Sequence, residues 1–135
     1  MNIEDLILAL DYTTSGEQFG FSAYVDKRSG EIHYEADDQI DPLPDDLYTN
    51  PEYIEIPTAR DLDLGSMLVH DFVEECFSEQ EETVNEIFRR KGAYAKFKEL
   101  LHTHDKLDEW YRYEEEAKRN RLREWAQLND VEISR

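Results

Sequence analysis

The first residues of the chain follow a helical pattern. Ile3, Leu6 and Ile7 recur at the spacing of one apolar helix face, and Asn2 stands at the position of an N-cap residue. Turn-forming residues follow at 13–16. The pattern therefore predicts a short amphipathic helix that ends at this turn.

A β-hairpin is predicted after that turn. Apolar and polar residues alternate over residues 19–26, and the sequence at 27–30 is typical of a tight turn. Pairing Asp26 with Glu31 across the turn places Val25 opposite an isoleucine, so the apolar side chains of both strands share one face. The register is thus predicted together with the strands.

Residues 37–52 separate this hairpin from a third predicted strand. Acidic residues and prolines dominate the segment, a composition that disfavours both a helix and a central strand. Alternation returns over residues 53–56, before Pro57. We expect a loop followed by one short strand.

The period becomes helical from residue 61 onward. Leu64, Leu68, Phe72 and Cys76 form an apolar stripe, and a capping-box pattern at Ser78 predicts the start of a second helix. A glycine at position 92 then separates this second helix from a third. We expect Gly92 to adopt a left-handed conformation or to allow close helix contact.

The longest predicted helix begins after Asp105, as a capping residue, and extends to Asn129. Its expected apolar stripe consists of Leu107, Trp110, Ala117, Trp125 and Leu128. Trp110 and Trp125 project in nearly the same direction, since their spacing is close to a whole number of turns. We expect both indoles to face one core, with a homodimer seam as the alternative.

These elements predict an α+β fold, in which a small antiparallel N-terminal sheet, a hairpin plus one strand, precedes a helical C-terminal half. A chain of 135 residues fits one domain, 1–135, with an acidic hairpin-containing part at 1–60 and a helical part at 61–135. The longest apolar run is far shorter than a membrane span, and the acidic N-terminus is unlike a secretory signal. With Cys76 as the only cysteine, we expect a cytoplasmic protein.

Charge is distributed unevenly along the chain, whose formal net charge is −18. Residues 1–85 contain 22 acidic and 3 basic residues, whereas residues 86–135 contain 11 and 12. Acidic surfaces repel anionic membranes and phosphate backbones and attract basic protein patches. We therefore expect a protein partner and no membrane association.

Known catalytic and metal-binding patterns are missing from the sequence. The glycines form no phosphate-binding motif, and Cys76 follows two glutamates, a setting that disfavours a reactive thiolate. His70 with Glu74, and His102 with His104, each offer too few ligands for a metal site. We therefore assign no catalytic residue, no metal site and no cofactor.

One basic cluster interrupts the acidic composition. It consists of Arg89, Arg90, Lys91, Lys96 and Lys98, interleaved with the aromatic residues Tyr94 and Phe97. Such a cluster is able to contact phosphate while an aromatic ring stacks on a base. The alternative is that the aromatic residues belong to the core and the basic residues pair with the acids of residues 1–85.

The segment 89–98, with its Gly-Ala-Tyr-Ala-Lys-Phe-Lys sequence, resembles an uncharacterised bacterial protein family of the UPF series. Trp110-Tyr111 and the later Arg123-Glu124-Trp125 extend the resemblance, as does the Ser29-Gly30-Glu31 turn. The resemblance spans most of the chain. It implies no activity, substrate or site residue.

Three functional hypotheses follow. The leading one is a non-enzymatic protein-interaction or regulatory module, because catalytic motifs are missing and the charge is segregated. The second is a nucleic-acid-associated protein that uses the basic cluster at 89–98. The third is a metal-dependent enzyme built around His70, Glu74, His102 or His104.

Overall fold

A three-stranded sheet and five α-helices make up the described part of this computed structural model, which covers residues 1–36 and 42–134. The helices are α1 (Ile3–Gly16), α2 (Ser66–Cys76), α3 (Glu81–Ile87), α4 (Ala93–Thr103) and α5 (Leu107–Leu128). The strands are β1 (Ser22–Asp26), β2 (Ile32–Glu35) and β3 (Tyr53–Glu55), and short 3-10 turns span Glu17–Phe19 and Ser78–Gln80. The predicted α+β class with a helical C-terminal half is confirmed. No helix in the described residues is long and apolar enough to cross a membrane.

The sheet has the strand order β2-β1-β3, and both pairs are antiparallel. Val25 lies opposite Ile32, and the Asp26 N–H donates to the Glu31 carbonyl oxygen at 2.9 Å, so the predicted hairpin register is confirmed. The predicted third strand pairs with the other edge of β1, which places β1 at the centre of the sheet. Of the predicted loop at 37–52, residues 42–52 contain turns at 45–49 and 51–52 and neither a helix nor a strand, and residues 37–41 lie outside the described residues.

The hairpin turn is fixed by one buried carboxylate. Asp26 accepts hydrogen bonds from Arg28 Nε at 2.9 Å, from Arg28 Nη2 at 3.0 Å and from the Arg28 backbone N–H at 2.9 Å. This bonding to Arg28 holds the pKa of Asp26 below its usual value. The guanidinium also lies 5.4 Å from the centre of the Tyr53 ring on β3.

Helix α1 extends further than predicted. Its start is confirmed, because the Asn2 side chain accepts a hydrogen bond from the Glu4 N–H at 2.8 Å. The expected turn at 13–16 is wrong, since the helix continues to Gly16. The hydroxyl groups of Thr14 and Ser15 donate to carbonyl oxygens four residues earlier, which keeps these polar residues compatible with a helix.

The chain forms two compact units. Unit 1 comprises Met1–Leu62 and Lys118–Arg135, and unit 2 comprises Asp63–Ala117. The first part of α5 therefore belongs to unit 2 and its second part to unit 1. In sequence, unit 2 is continuous, whereas unit 1 combines the two ends of the chain.

Unit 2 has a helical core with several aromatic side chains. Trp110 lies at its centre, with its ring 5.2 Å from the rings of both Phe72 and Phe97 in edge-to-face arrangements. The fully buried members of the core are Leu68, Val69, Phe72, Val73, Phe77, Val84, Phe97, Leu101 and Trp110. The predicted apolar faces of α2 and α4 thus meet in one cluster with α5.

Unit 1 buries one face of α1 and of the sheet together with part of α5. Its buried apolar residues are Leu6, Ile7, Ala9, Leu10, Ala23, Val25, Leu47, Ile56, Leu122, Ala126 and Val131. Hydrogen bonds join the two chain ends: the Ser134 N–H donates to the Met1 carbonyl oxygen at 2.7 Å, and the Met1 ammonium donates to the Glu132 carbonyl oxygen at 3.0 Å.

The predicted apolar stripe of α5 is correct in its first half only. Leu122 and Ala126 are buried, although the prediction omitted them, whereas Leu128 is 84% exposed. The expectation that both indoles face one core is wrong: Trp110 belongs to the unit 2 core, and Trp125 is half-buried in unit 1. Fifteen residues of helix span about 22 Å, more than one small core accommodates.

One predicted helix boundary, at Gly92, is confirmed by the backbone conformation. Two other helix starts differ from the predicted ones. Gly92 has φ 74°, in the left-handed region, and a Cβ added there would meet no described atom within 4 Å. The predicted second helix, α3, begins through the 3-10 turn Ser78–Gln80, in which no side-chain capping bond forms among the described residues. Asp105 has φ 56° and α5 begins at Leu107, so Asp105 does not hold the extended conformation of an N-cap residue.

Candidate functional site

The described residues of unit 1 form a cleft of about 480 Å³. Its walls come from the end of α1, the turn that follows, the end of β3 and the segment 58–62, together with Trp125 of α5. Its lining combines the apolar residues Phe21, Trp125 and Ile56 with the acidic residues Glu17, Glu55 and Asp61. No basic residue is among the described residues that line it.

Gly16 positions the Phe21 wall of the cleft. A Cβ atom added to Gly16 would lie 2.7 Å from Phe21 Cβ, a distance that real Cβ contacts do not show. The Phe21 N–H donates to the Gly16 carbonyl oxygen at 3.1 Å, and the Phe21 ring stacks on Tyr12 at 5.9 Å. A glycine at position 16 thus allows the aromatic ring to lie directly against the end of α1.

Hydroxyl groups join α1 to the segment that follows β3. The buried Thr13 hydroxyl lies 2.7 Å from the Pro57 carbonyl oxygen, and the Thr14 hydroxyl accepts a hydrogen bond from the Ala59 N–H at 2.9 Å. These contacts satisfy backbone groups just after the strand ends. They hold the two sides of the cleft at a fixed separation.

Asp61 is oriented by a reciprocal pair of hydrogen bonds. Its carboxylate accepts from the Thr58 N–H at 3.0 Å, and its own N–H donates to the Thr58 hydroxyl at 3.2 Å. The next carbonyl oxygen, that of Leu62, accepts a hydrogen bond from Arg121 Nη1 at 2.9 Å. This side of the cleft is therefore connected to α5 within unit 1.

The carboxylates of the cleft have little local compensation. Glu17 forms an ion pair with Arg60 at 3.5 Å, but the two side chains are 42% and 81% exposed, so solvent screens the pair. No described residue forms an ion pair with Glu55. Burial raises the pKa of Tyr24, and the Glu55 carboxylate, opposite it in the sheet, raises that pKa further.

Basic residues from the C-terminal half of the sequence lie close to acidic residues from the N-terminal half in the folded chain. Lys118 lies 3.7 Å from Asp11, and Arg119 lies 2.7 Å from Glu4, so basic residues of α5 pair with acidic residues of α1 within unit 1. Unit 1 contains 18 acidic and 8 basic residues, net −10, and unit 2 contains 15 and 7, net −8. Each unit is therefore acidic by itself.

The five basic residues singled out in the sequence all lie in unit 2. Arg89 and Arg90 come together at one carboxylate, since their guanidinium groups lie 3.2 and 3.5 Å from Glu86. Lys98 lies 5.6 Å from the centre of the Tyr111 ring. Lys91 and Lys96 are exposed. The cluster is thus partly compensated within its own unit.

The candidate metal ligands do not converge. His70 and Glu74 are exposed on α2, and the His104 ring lies 5.4 Å from Phe77. Across residues 1–36 and 42–134, no group of three or more His, Cys, Asp or Glu side chains is arranged to hold an ion.

Cys76 is half-buried against the unit 2 core, in agreement with the expected core thiol. Burial raises the pKa of the Cys76 thiol, and the Glu109 carboxylate raises it further. Both effects favour the neutral thiol over the thiolate, so the side chain behaves as a small hydrophobic group.

Sequence reasoning missed the cleft because no local motif contains it. Its walls come from residues 13–22, from residues 55–62 and from Trp125, which are far apart in the chain. Trp125 was expected in a core with Trp110, and the carboxylates were part of a general acidic surplus. Only the pairing of β3 with β1 and the return of the C-terminal segment bring these groups together.

Comparison with known proteins extends the resemblance seen in the sequence. No curated protein and no solved structure matches the chain significantly. One family model, described as "Uncharacterised protein family (UPF0158)", matches residues 2–134. The predicted resemblance to the UPF series is thereby confirmed. Because the match covers nearly the whole sequence, the chain belongs to the UPF0158 family.

Proposed function

We propose that this protein is a non-enzymatic interaction module of the cytoplasm, and that its unit 1 binds a basic segment of a partner protein. The observation that carries the proposal is the cleft, whose described lining contains three acidic residues and several apolar residues and no basic residue. Charge complementarity accelerates encounter and selects partners, and an apolar interior adds affinity once contact is made.

The dimensions of the cleft support this proposal. Clefts that bind small ligands commonly enclose roughly 300–1,000 Å³, and the cleft volume of about 480 Å³ falls in that range. Hydrogen bonds fix its walls at Thr13 and Asp61, so little ordering is needed on binding. A preformed acidic cleft is suited to a docking role.

Fluorescence anisotropy tests the proposal with labelled peptides of equal length. We expect an arginine- and lysine-rich peptide to bind the full chain, with an affinity that decreases as ionic strength rises, and an acidic peptide of the same length not to bind. Absence of binding by the basic peptide at low ionic strength would overturn the proposal.

A second candidate function is nucleic-acid association through unit 2. It is favoured by the exposure of the Arg89 and Arg90 side chains, at 75% and 72%, and by the exposed Tyr94 in the same segment of the chain. The net charge of unit 2 and the pairing of both arginines with Glu86 oppose it. Labelled single-stranded RNA in the same assay decides: salt-dependent binding that is lost in Arg89→Ala/Arg90→Ala/Lys91→Ala would favour this function over the first.

A further inference from the structure

The composition of the cleft points to one kind of basic side chain. The aromatic residues Phe21 and Trp125 and the acidic residues Glu55 and Asp61 are among its lining residues. A guanidinium group is planar, stacks on aromatic faces and donates paired hydrogen bonds to carboxylates, whereas an ammonium group is a compact and strongly hydrated charge. We propose that the cleft of unit 1 receives an arginine side chain of the partner protein.

This inference rests on the proposed function and makes it more specific. The apolar lining has room for the methylene groups of a long side chain, which gain from burial while the charged end reaches the carboxylates. Glu55 is available for that end, because no described residue forms an ion pair with it. Asp61 already accepts one backbone hydrogen bond, and a carboxylate has further lone pairs with which to accept more.

The protein's own Arg60 shows how the edge of the cleft accommodates a guanidinium group. Its Nη2 atom lies 3.5 Å from the Glu17 carboxylate, and its side chain is 81% exposed. Exposed pairs of this kind contribute little to stability, so Arg60 is readily displaced. Arg60 therefore acts as a weak internal competitor for the partner's arginine.

Matched peptides test the choice of arginine. Three peptides differ only in their repeated residue, which is arginine, lysine or citrulline, and citrulline keeps the shape of arginine without its charge. We expect the arginine peptide to bind most tightly, the lysine peptide about threefold to tenfold more weakly, and the citrulline peptide not measurably. Equal affinities for the arginine and lysine peptides would overturn the inference while leaving the proposed function intact.

Variants of the cleft locate the binding site. Glu55→Gln removes one carboxylate, and we expect about fivefold to tenfold weaker binding of the arginine peptide. Glu31→Gln removes the same charge from the exposed hairpin outside the lining and changes affinity less than about twofold. Trp125→Ala weakens binding and Trp125→Phe restores part of it, because phenylalanine keeps an aromatic face.

Arg60→Gln provides a test in the opposite direction. Removing the internal competitor is expected to tighten binding of the arginine peptide by about twofold to fivefold. Arg123→Gln, at an exposed position on α5, removes the same charge from unit 1. We expect this control to change the affinity for the arginine peptide less than Arg60→Gln does. Equal effects of the two variants would contradict displacement of Arg60.

The outcomes separate the two proposals. Failure of the wild-type chain to bind any basic peptide overturns both. Binding that is equally sensitive to Glu55→Gln and Glu31→Gln supports the proposed function and overturns the arginine cleft, because general charge attraction then explains it. A selective loss with Glu55→Gln, in a variant with an unchanged melting temperature, supports both.

Discussion

Unit 1 and unit 2 are both acidic, but they are constructed differently. Unit 2 is one continuous stretch of chain whose helices meet around Trp110 and Phe97. Unit 1 combines both chain ends, and its contacts include the Ser134 to Met1 hydrogen bond and the pairing of β3 with β1. The cleft belongs to the unit that is assembled from distant segments.

This difference is reflected in the place of the cleft. In unit 2, the aromatic side chains fill the space between successive helices and leave the basic and histidine residues on its surface. In unit 1, the Thr13 hydroxyl joins the end of α1 to the segment that follows β3, and Gly16 lets Phe21 lie against α1; the cleft is present beside these contacts. Distant segments that meet in this way commonly form binding sites.

The largest expected loss of stability is at Trp110, and a smaller loss is expected at Trp125. Trp110→Ala removes an indole that is 1% exposed and is expected to lower the free energy of unfolding by about 3 to 5 kcal/mol. Trp125→Ala removes a half-buried indole, and about 1 to 2 kcal/mol is expected. Urea denaturation followed by circular dichroism measures both. Equal losses would indicate that the two indoles have equivalent environments.

A conservative change refines the test at Trp110. No described residue accepts a hydrogen bond from Trp110 Nε1, so Trp110→Phe removes aromatic contact area without breaking a hydrogen bond. We expect this variant to lose clearly less stability than Trp110→Ala. A loss as large as that of the alanine variant would contradict this expectation.

The next largest effect tests which face of α5 is buried in unit 1. Leu122 is fully buried, and Leu122→Ala is expected to cost about 2 to 5 kcal/mol. Leu128→Ala changes an exposed residue of the same type on the same helix, and less than about 0.5 kcal/mol is expected. Thermal denaturation of the two variants decides between this arrangement and the stripe predicted from the sequence.

A smaller loss of stability is expected when the hairpin of unit 1 is changed at Asp26. Asp26→Asn removes the charge that binds Arg28, and a loss of about 1 to 3 kcal/mol is expected near neutral pH. The pKa of Asp26 is lowered in the folded chain, so this contribution is present above the ordinary aspartate pKa and is lost as pH falls through the lowered value. The difference between wild type and variant, measured in urea across acidic pH, should therefore shrink. A difference that stays constant would contradict the role of the charge.

The smallest effect tests a backbone requirement in unit 2. Gly92 has φ 74°, and Gly92→Ala is expected to cost on the order of 1 kcal/mol through backbone strain alone, because the added Cβ meets no described atom. Gly92→Asn should cost less, since asparagine tolerates this conformation. Melting temperatures of the two variants provide the measurement, and a wild-type value for Gly92→Ala would count against the strain.

Local features of the fold were predictable from the sequence. The hairpin register followed from alternation and one turn, and the boundary at Gly92 followed from glycine's conformational freedom. The extension of α1 through Thr14 and Ser15 was not predictable from propensity, because side-chain hydrogen bonds to the helix backbone override it.

Features that depend on distant contacts were not predictable. The apolar stripe predicted for α5 included Leu128, which is exposed, and omitted Leu122, which is buried. Helical period alone does not show that the two halves of α5 belong to different units. The cleft escaped prediction for the same reason: Glu55 and Trp125 acquire a common role only when the chain folds. The pairs of Arg89 and Arg90 with Glu86, by contrast, are local contacts between residues three and four positions apart.

The two indole N–H groups provide the most direct test of the central claim, because Trp125 lines the unit 1 cleft and Trp110 lies in the unit 2 core. In a two-dimensional ¹H–¹⁵N NMR titration with the arginine peptide, we predict that the Trp125 indole signal shifts progressively to saturation while the Trp110 indole signal stays in place. A Trp125 signal that does not move while the peptide binds would contradict the account.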